Sequence, residues 1–153
     1  MTERQTIDDF LAQKRIAIVG VSRSARDFTR SLFDEFVRRG YDAIPVNPNT
    51  GEIDGRKCFA SVGQIEPKAD AALIMTPAAQ SETVARECSE AGVPRVWFYR
   101  AVGQGAVNER AVDLCESKGM RVVAGRCPFM FFPNPGFHGW HGLLLKLIGR
   151  YPR

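Results

Sequence analysis

Arg15-Ile16-Ala17-Ile18-Val19-Gly20 sets four consecutive apolar residues between a cation and a glycine. A short unbroken apolar run of this kind suits a strand covered on both faces, as in parallel sheets. A polar loop follows. Leu32, Phe33, Phe36 and Val37 then recur at helical spacing, and Gly40 stands where a helix C′ residue is expected. Upstream, Ile7, Phe10 and Leu11 share one face of a short first helix, for which Thr6 is the expected cap, with Asp9 three residues on.

The same unit recurs downstream. Residues 41–46 predict a strand stopped by Asn47-Pro48, and 53–59 a short extended segment. Asp70-Ala71-Ala72-Leu73-Ile74-Met75 is a buried strand ended by Thr76-Pro77, with a helix over 78–91 ended by Gly92. Residues 95–99 predict a strand, 107–118 a helix ended by Gly119, and 121–124 a last short strand. Strands alternating with helices predict βαβ units. The expected fold is α/β, a doubly wound parallel sheet in three layers with right-handed crossovers.

The 153 residues fit a single domain, 1–153, in which 126–153 forms an aromatic-rich C-terminal tail. A chain of this length buries a sizeable core without metals or disulfides. A net charge of +4 suits an anionic ligand, and the scattered cations argue against nucleic acid. Cys58, Cys88, Cys115 and Cys127 form no CxxC pair and no zinc spacing. Reduced thiols and a cytoplasmic location are expected. No secretory signal is read at the start. The apolar run 143–148, broken by Lys146, is far too short for a membrane span.

In open parallel sheets ligands bind beyond the carboxyl ends of the strands. The first such loop runs from Gly20, Val21, Ser22 and Arg23 through Ser24, Ala25 and Arg26 to Arg30. The glycine permits a tight turn, the following helix amides and dipole favour an anion, and three arginines add charge. This is a candidate pyrophosphate site. The G-x-G-x-x-G pattern of nicotinamide dinucleotide sites is broken by Ser22 and Ala25, and Asn47-Pro48 stands where that fold places a carboxylate.

These residues resemble a family. Ile18-Val19-Gly20-Val21-Ser22, residues 41–48 ending in Val46-Asn47-Pro48, Gly55-Arg56-Lys57, Thr76-Pro77 and Arg126-Cys127-Pro128 occur in an order similar to the small stand-alone coenzyme A-binding proteins. Their Rossmann-like fold is shared with the nucleotide domain of the succinyl-coenzyme A synthetase α subunit. The likeness runs from about Lys14 to Pro128. It implies coenzyme A as the ligand, with Gly20, Val21 and Ser22 lining the pyrophosphate and Asn47 and Pro48 against the adenosine ribose. Thr76, Pro77 and Ala78 would border the adenine or the start of the pantetheine arm. Relatives carry a basic residue where Asp27 stands and another near Ser31. Here Arg26 and Arg30 are each shifted by one position.

No paired carboxylates, catalytic triad or nucleophile elbow is legible, so a binding protein without catalytic machinery is the expected reading. A nicotinamide nucleotide-binding oxidoreductase and a nucleotide-responsive sensor are the alternatives. His138 and His141 lack further ligands for a metal and are expected to pack with Phe137 and Trp140. Cys127 is expected to be a small buried filler beside Pro128. The aromatic tail is expected either to pack back over the sheet or to form a homodimer interface.

Overall fold

The computed structural model describes residues 1–132. His138, His141, Phe137 and Trp140 lie outside the described residues. The first helix, α1 (Glu3–Leu11), starts earlier than expected. Thr2, not Thr6, caps it: Gln5 N–H donates to the Thr2 hydroxyl and the Gln5 side chain accepts from Thr2 N–H, a reciprocal capping box. Thr6 instead sits one turn in, its hydroxyl donating to the Thr2 carbonyl at 3.1 Å.

Five parallel strands follow: β1 (Arg15–Val19), β2 (Asp42–Val46), then β5 (Ala71–Ile74), β6 (Arg95–Phe98) and β7 (Arg121–Ala124), in the spatial order β2-β1-β5-β6-β7. The helices α2 (Phe28–Arg38), α3 (Ala78–Glu90) and α4 (Glu109–Ser117) connect them. The order makes this a Rossmann-like α/β sheet, and the strand bounds agree with the sequence expectation to within a residue or so. The segment expected as one extended piece over 53–59 is instead a hairpin, β3 (Glu52–Ile53) and β4 (Arg56–Lys57). Asp54 and Gly55 both have positive φ, 50° and 75°, which closes a two-residue turn of the kind Asp-Gly favours.

Successive side chains of a strand point to opposite faces, and each face has its own core. Ile16 and Ile18, with Leu73 and Trp97, pack under α1, α2 and the aromatic residues Phe131 and Phe132. Ala17 and Val19, with Ala72, Ile74 and Phe98, pack under α3 and α4. Every residue of β5 is buried, as a central strand covered twice must be. Trp97, fully buried, donates its indole N–H to the Gly125 carbonyl at 3.0 Å, and Phe10 stands edge-on to it at 5.3 Å. A buried indole without such an acceptor costs about 1–3 kcal/mol. The start of the aromatic tail thus packs back on the sheet of its own chain, since Phe131 and Phe132 are both buried.

One connection departs from the regular βαβ scheme. Between β2 and β5 the chain carries the β3–β4 hairpin and a single 3-10 turn, Val62–Gln64, where an α-helix would otherwise lie. The absence of that helix leaves a groove between α3 and the segment that follows β2.

Candidate functional site

After β1 the chain moves to one edge of the sheet to form β2, then crosses back over β1 to form β5. This reversal is the switch point at which open α/β sheets form a crevice. A cleft of about 470 Å³ lies there, bordered by Gly20 after β1, Asn47 and Pro48 after β2, and Thr76 and Pro77 after β5. Gln80, Thr83, Val84 and Glu87 of α3 form its long wall. Three segments that the sequence singled out separately therefore meet in one place.

Gly20 has φ 95° and donates its N–H to the Val46 carbonyl at 3.0 Å. A Cβ built there would stand 3.1 Å from the backbone of Met75 and Thr76. Glycine is thus required by the close approach of β1 to β5, and the space it leaves is filled by protein. Val21 is fully buried, its side chain packed in the core. Its carbonyl accepts from Asn47 Nδ2 at 2.8 Å, while Asn47 Oδ1 accepts from Asn49 N–H at 2.8 Å. Asn47 therefore ties the first loop to the second.

The first loop is pre-folded by its own side chains. Ser22 N–H donates to the Thr29 hydroxyl at 2.9 Å, and Ser24 N–H to the Ser22 hydroxyl at 3.0 Å. Asp27 caps α2: its carboxylate accepts from both the N–H and the hydroxyl of Thr29, each at 2.9 Å. The anion-favouring amides expected at this helix start are thus partly taken up by a carboxylate of the chain itself.

The three loop arginines separate into two kinds. Arg30 is only 5% exposed. It forms an ion pair with Asp54 in the hairpin turn and donates to the Arg23 carbonyl at 3.2 Å. Its charge is neutralised, and its geometry pins the loop to the hairpin. Its Nε is buried with no acceptor. Arg23 and Arg26 are exposed, and neither has an ion pair among the described residues.

The helix end that opens on the cleft is that of α3. Its N-cap is Pro77, whose side chain offers no capping acceptor, and Ala78 begins the helix. Uncapped first-turn amides carry partial positive charge. Behind them, Asn108 Nδ2 donates to the Ala78 carbonyl at 3.0 Å, and buried Ser81 donates to the Ala106 carbonyl at 2.6 Å, which fixes α3 against the loop before α4. Thr76 Oγ1 lies 3.4 Å from Ser81 Oγ. The sequence expectation places the phosphate at the Gly20 loop and not at this second helix start. Its signal was present: Thr76-Pro77-Ala78-Ala79 places no Ser, Asp or Asn where a cap is needed.

Burial pushes the Glu87 carboxyl above its ordinary range, and the neighbouring Glu90 charge adds to this, while the Val62 amide opposes it. Burial also raises the Cys127 thiol to about 11, with the Phe129 amide and the Tyr99 hydroxyl opposing. Such a thiol stays protonated and unreactive at neutral pH, which agrees with the expected filler role. Among the described residues no group of three His, Cys, Asp or Glu side chains could hold a metal ion. Among them, too, no helix is long and apolar enough to cross a membrane.

The CoA-binding domain family matches residues 14–133. The uncharacterized protein YneT of Bacillus subtilis is 32% identical over 114 residues, covering 74% of this chain and 82% of that protein. The α subunit of the ADP-forming acetate–CoA ligase II of Pyrococcus furiosus is 28% identical over 129 residues, covering 79% of this chain but only 28% of the subunit. A solved structure of a hypothetical protein from Pyrococcus horikoshii superposes with a TM-score of 0.77 at 26% identity, over 95% of this chain and 93% of that one.

Proposed function

This chain belongs to the CoA-binding domain family, and from that premise we propose that it holds coenzyme A, or an acyl-coenzyme A, at the switch-point cleft. The observation that carries the reading is the convergence of Gly20, Asn47-Pro48 and Thr76-Pro77 on one cleft at the carboxyl edge of the sheet. The pyrophosphate lies along the Gly20-Val21-Ser22 loop, between the uncapped start of α3 and the exposed guanidinium groups of Arg23 and Arg26. Arg30 is a positioning residue there, acting through the loop and the hairpin. Asn47 and Pro48 border the ribose, and Thr76, Pro77 and Ala78 the base or the start of the pantetheine arm. Binding is the function proposed for this cleft, whose lining among the described residues is mainly apolar and amide or hydroxyl side chains with one carboxyl, Glu87.

A ligand that binds only the folded state stabilises it by mass action, by about 2.7 kcal/mol at roughly a hundred times its Kd. Thermal unfolding with equal concentrations of coenzyme A, NAD and ATP therefore tests the reading. Coenzyme A is expected to raise Tm most. A larger rise with NAD would favour the oxidoreductase alternative and remove this one.

A further inference from the structure

Where a βα unit cradles a phosphate, the amides of the loop and of the first helical turn point at the anion. In the first loop of this chain most of those amides already have acceptors. Gly20 N–H donates to the Val46 carbonyl, Ser22 N–H to Thr29 Oγ1, Ser24 N–H to Ser22 Oγ and Arg26 N–H to Ser24 Oγ. Asp27 N–H donates to the Ser24 carbonyl, and the amides of Arg30 and Ser31 donate to the Asp27 carbonyl. The carboxylate of Asp27 closes the set. Its Oδ1 accepts both the N–H and the hydroxyl of Thr29, each at 2.9 Å. Thr29 Oγ1 gives its one proton to Asp27 and is left to accept from Ser22 N–H. One carboxylate thus holds the start of α2 directly and the Ser22 amide through Thr29. Asp27 is exposed and has no ion pair among the described residues, so no cation of the described chain neutralises it.

We infer that Asp27 is a built-in anion at the start of α2, which keeps the ligand's pyrophosphate away from that helix end and lowers the affinity of the site. The inference rests on the proposed coenzyme A site and decides which helix end serves it. Two helix starts follow the carboxyl ends of β1 and β5. That of α2 is capped by the Asp27 carboxylate, and that of α3 begins at Pro77 with no side-chain cap. Both macrodipoles attract an anion, but an anion at α2 meets a like charge already seated there. What the first loop still offers a phosphate is side chains: the Ser22 and Ser24 hydroxyls, whose oxygens accept from amides, and the exposed guanidinium groups of Arg23 and Arg26.

The test uses the full chain, titrated calorimetrically with coenzyme A at low and at high salt. Asp27→Asn keeps an oxygen to cap α2 and to accept from Thr29, and asparagine caps a helix about as well as aspartate, so only the charge is lost. Affinity is expected to rise by roughly two- to fivefold, the effect of one charge at a helix end, and the gain to fade at high salt. Asp27→Ser, a second uncharged cap, should raise it as well. Asp27→Glu keeps the charge and should give no gain. Thermal unfolding of each apo variant establishes that the fold is kept. Affinity unchanged or lowered in both folded neutral variants, or a gain that persists at high salt, would overturn the role of Asp27 while leaving the coenzyme A reading in place. Failure of the unmodified chain and of every variant to bind coenzyme A would overturn both.

Discussion

Residues in the first loop divide into those that hold the protein and those left for a ligand. Gly20 belongs to the first group, because its positive φ and the 3.1 Å approach of Met75 and Thr76 leave no room for a Cβ. Gly20→Ala is expected to lower the apo protein's stability by roughly 1–3 kcal/mol, from backbone strain and overpacking, as read by denaturant unfolding. Arg23 and Arg26 belong to the second group. Arg26→Ala and Arg23→Ala should leave apo stability within about 0.5 kcal/mol, as exposed sites do. Each should weaken coenzyme A roughly tenfold by calorimetry, with the loss shrinking at high salt. Arg30→Ala should behave differently. It strips Asp54 of its partner and frees the Arg23 carbonyl, so apo stability and ligand affinity should fall together. A loss of affinity with apo stability unchanged would show that Arg30 contacts the ligand directly. Three arginines within eight residues look alike in sequence. Only the hairpin turn, brought in from 24 residues away, separates Arg30 from the others.

Elements whose signal is local were legible, and those that depend on a distant partner were not. Ile16–Val19 and Ala71–Ile74 stood out because burial on both faces erases the alternation of a half-exposed strand. The helix stops at Gly40, Gly92 and Gly119 were equally local, each with positive φ. The α1 cap lies at Thr2-x-x-Gln5, a full capping box legible in the sequence, and not at the expected Thr6. The hairpin turn was likewise present in Asp54-Gly55. Strand order, the missing crossover helix and the closure of α2 by Asp27 needed the folded chain. At the amino edge of the sheet, α1 is joined to β6 and β7 through Asp9, which pairs with Arg95 at 2.7 Å and Arg121 at 2.9 Å. Burial raises the Asp9 carboxyl, but the hydrogen bonds and charges of Arg95 and Arg121 together outweigh it and hold it below 3.8. A carboxyl depressed in the folded state adds stability that is fully present above 3.8 and is lost as pH falls through the lower folded value. Asp9→Asn should therefore flatten the acid limb of a stability–pH curve. An acid limb identical to that of the unmodified protein would show that α1 is held by its apolar face alone.

At the scale of the whole molecule, a symmetric-looking α/β sheet becomes a site through one irregularity. The reversal between β1 and β5 opens a crevice at the edge, and the absent helix between β2 and β5 extends it along α3. The uncapped start of α3 and the exposed Arg23 and Arg26 give this edge the sign that a polyphosphate requires. The most direct test of the account is an amide chemical-shift titration of the isotope-labelled full chain with coenzyme A. The account predicts the largest changes over residues 20–26, 47–49 and 76–87, with the amino edge around Asp9 and Arg121 unmoved. Saturable changes confined to the opposite edge, or to the segment 100–108 beyond β6, would place the ligand elsewhere and contradict it.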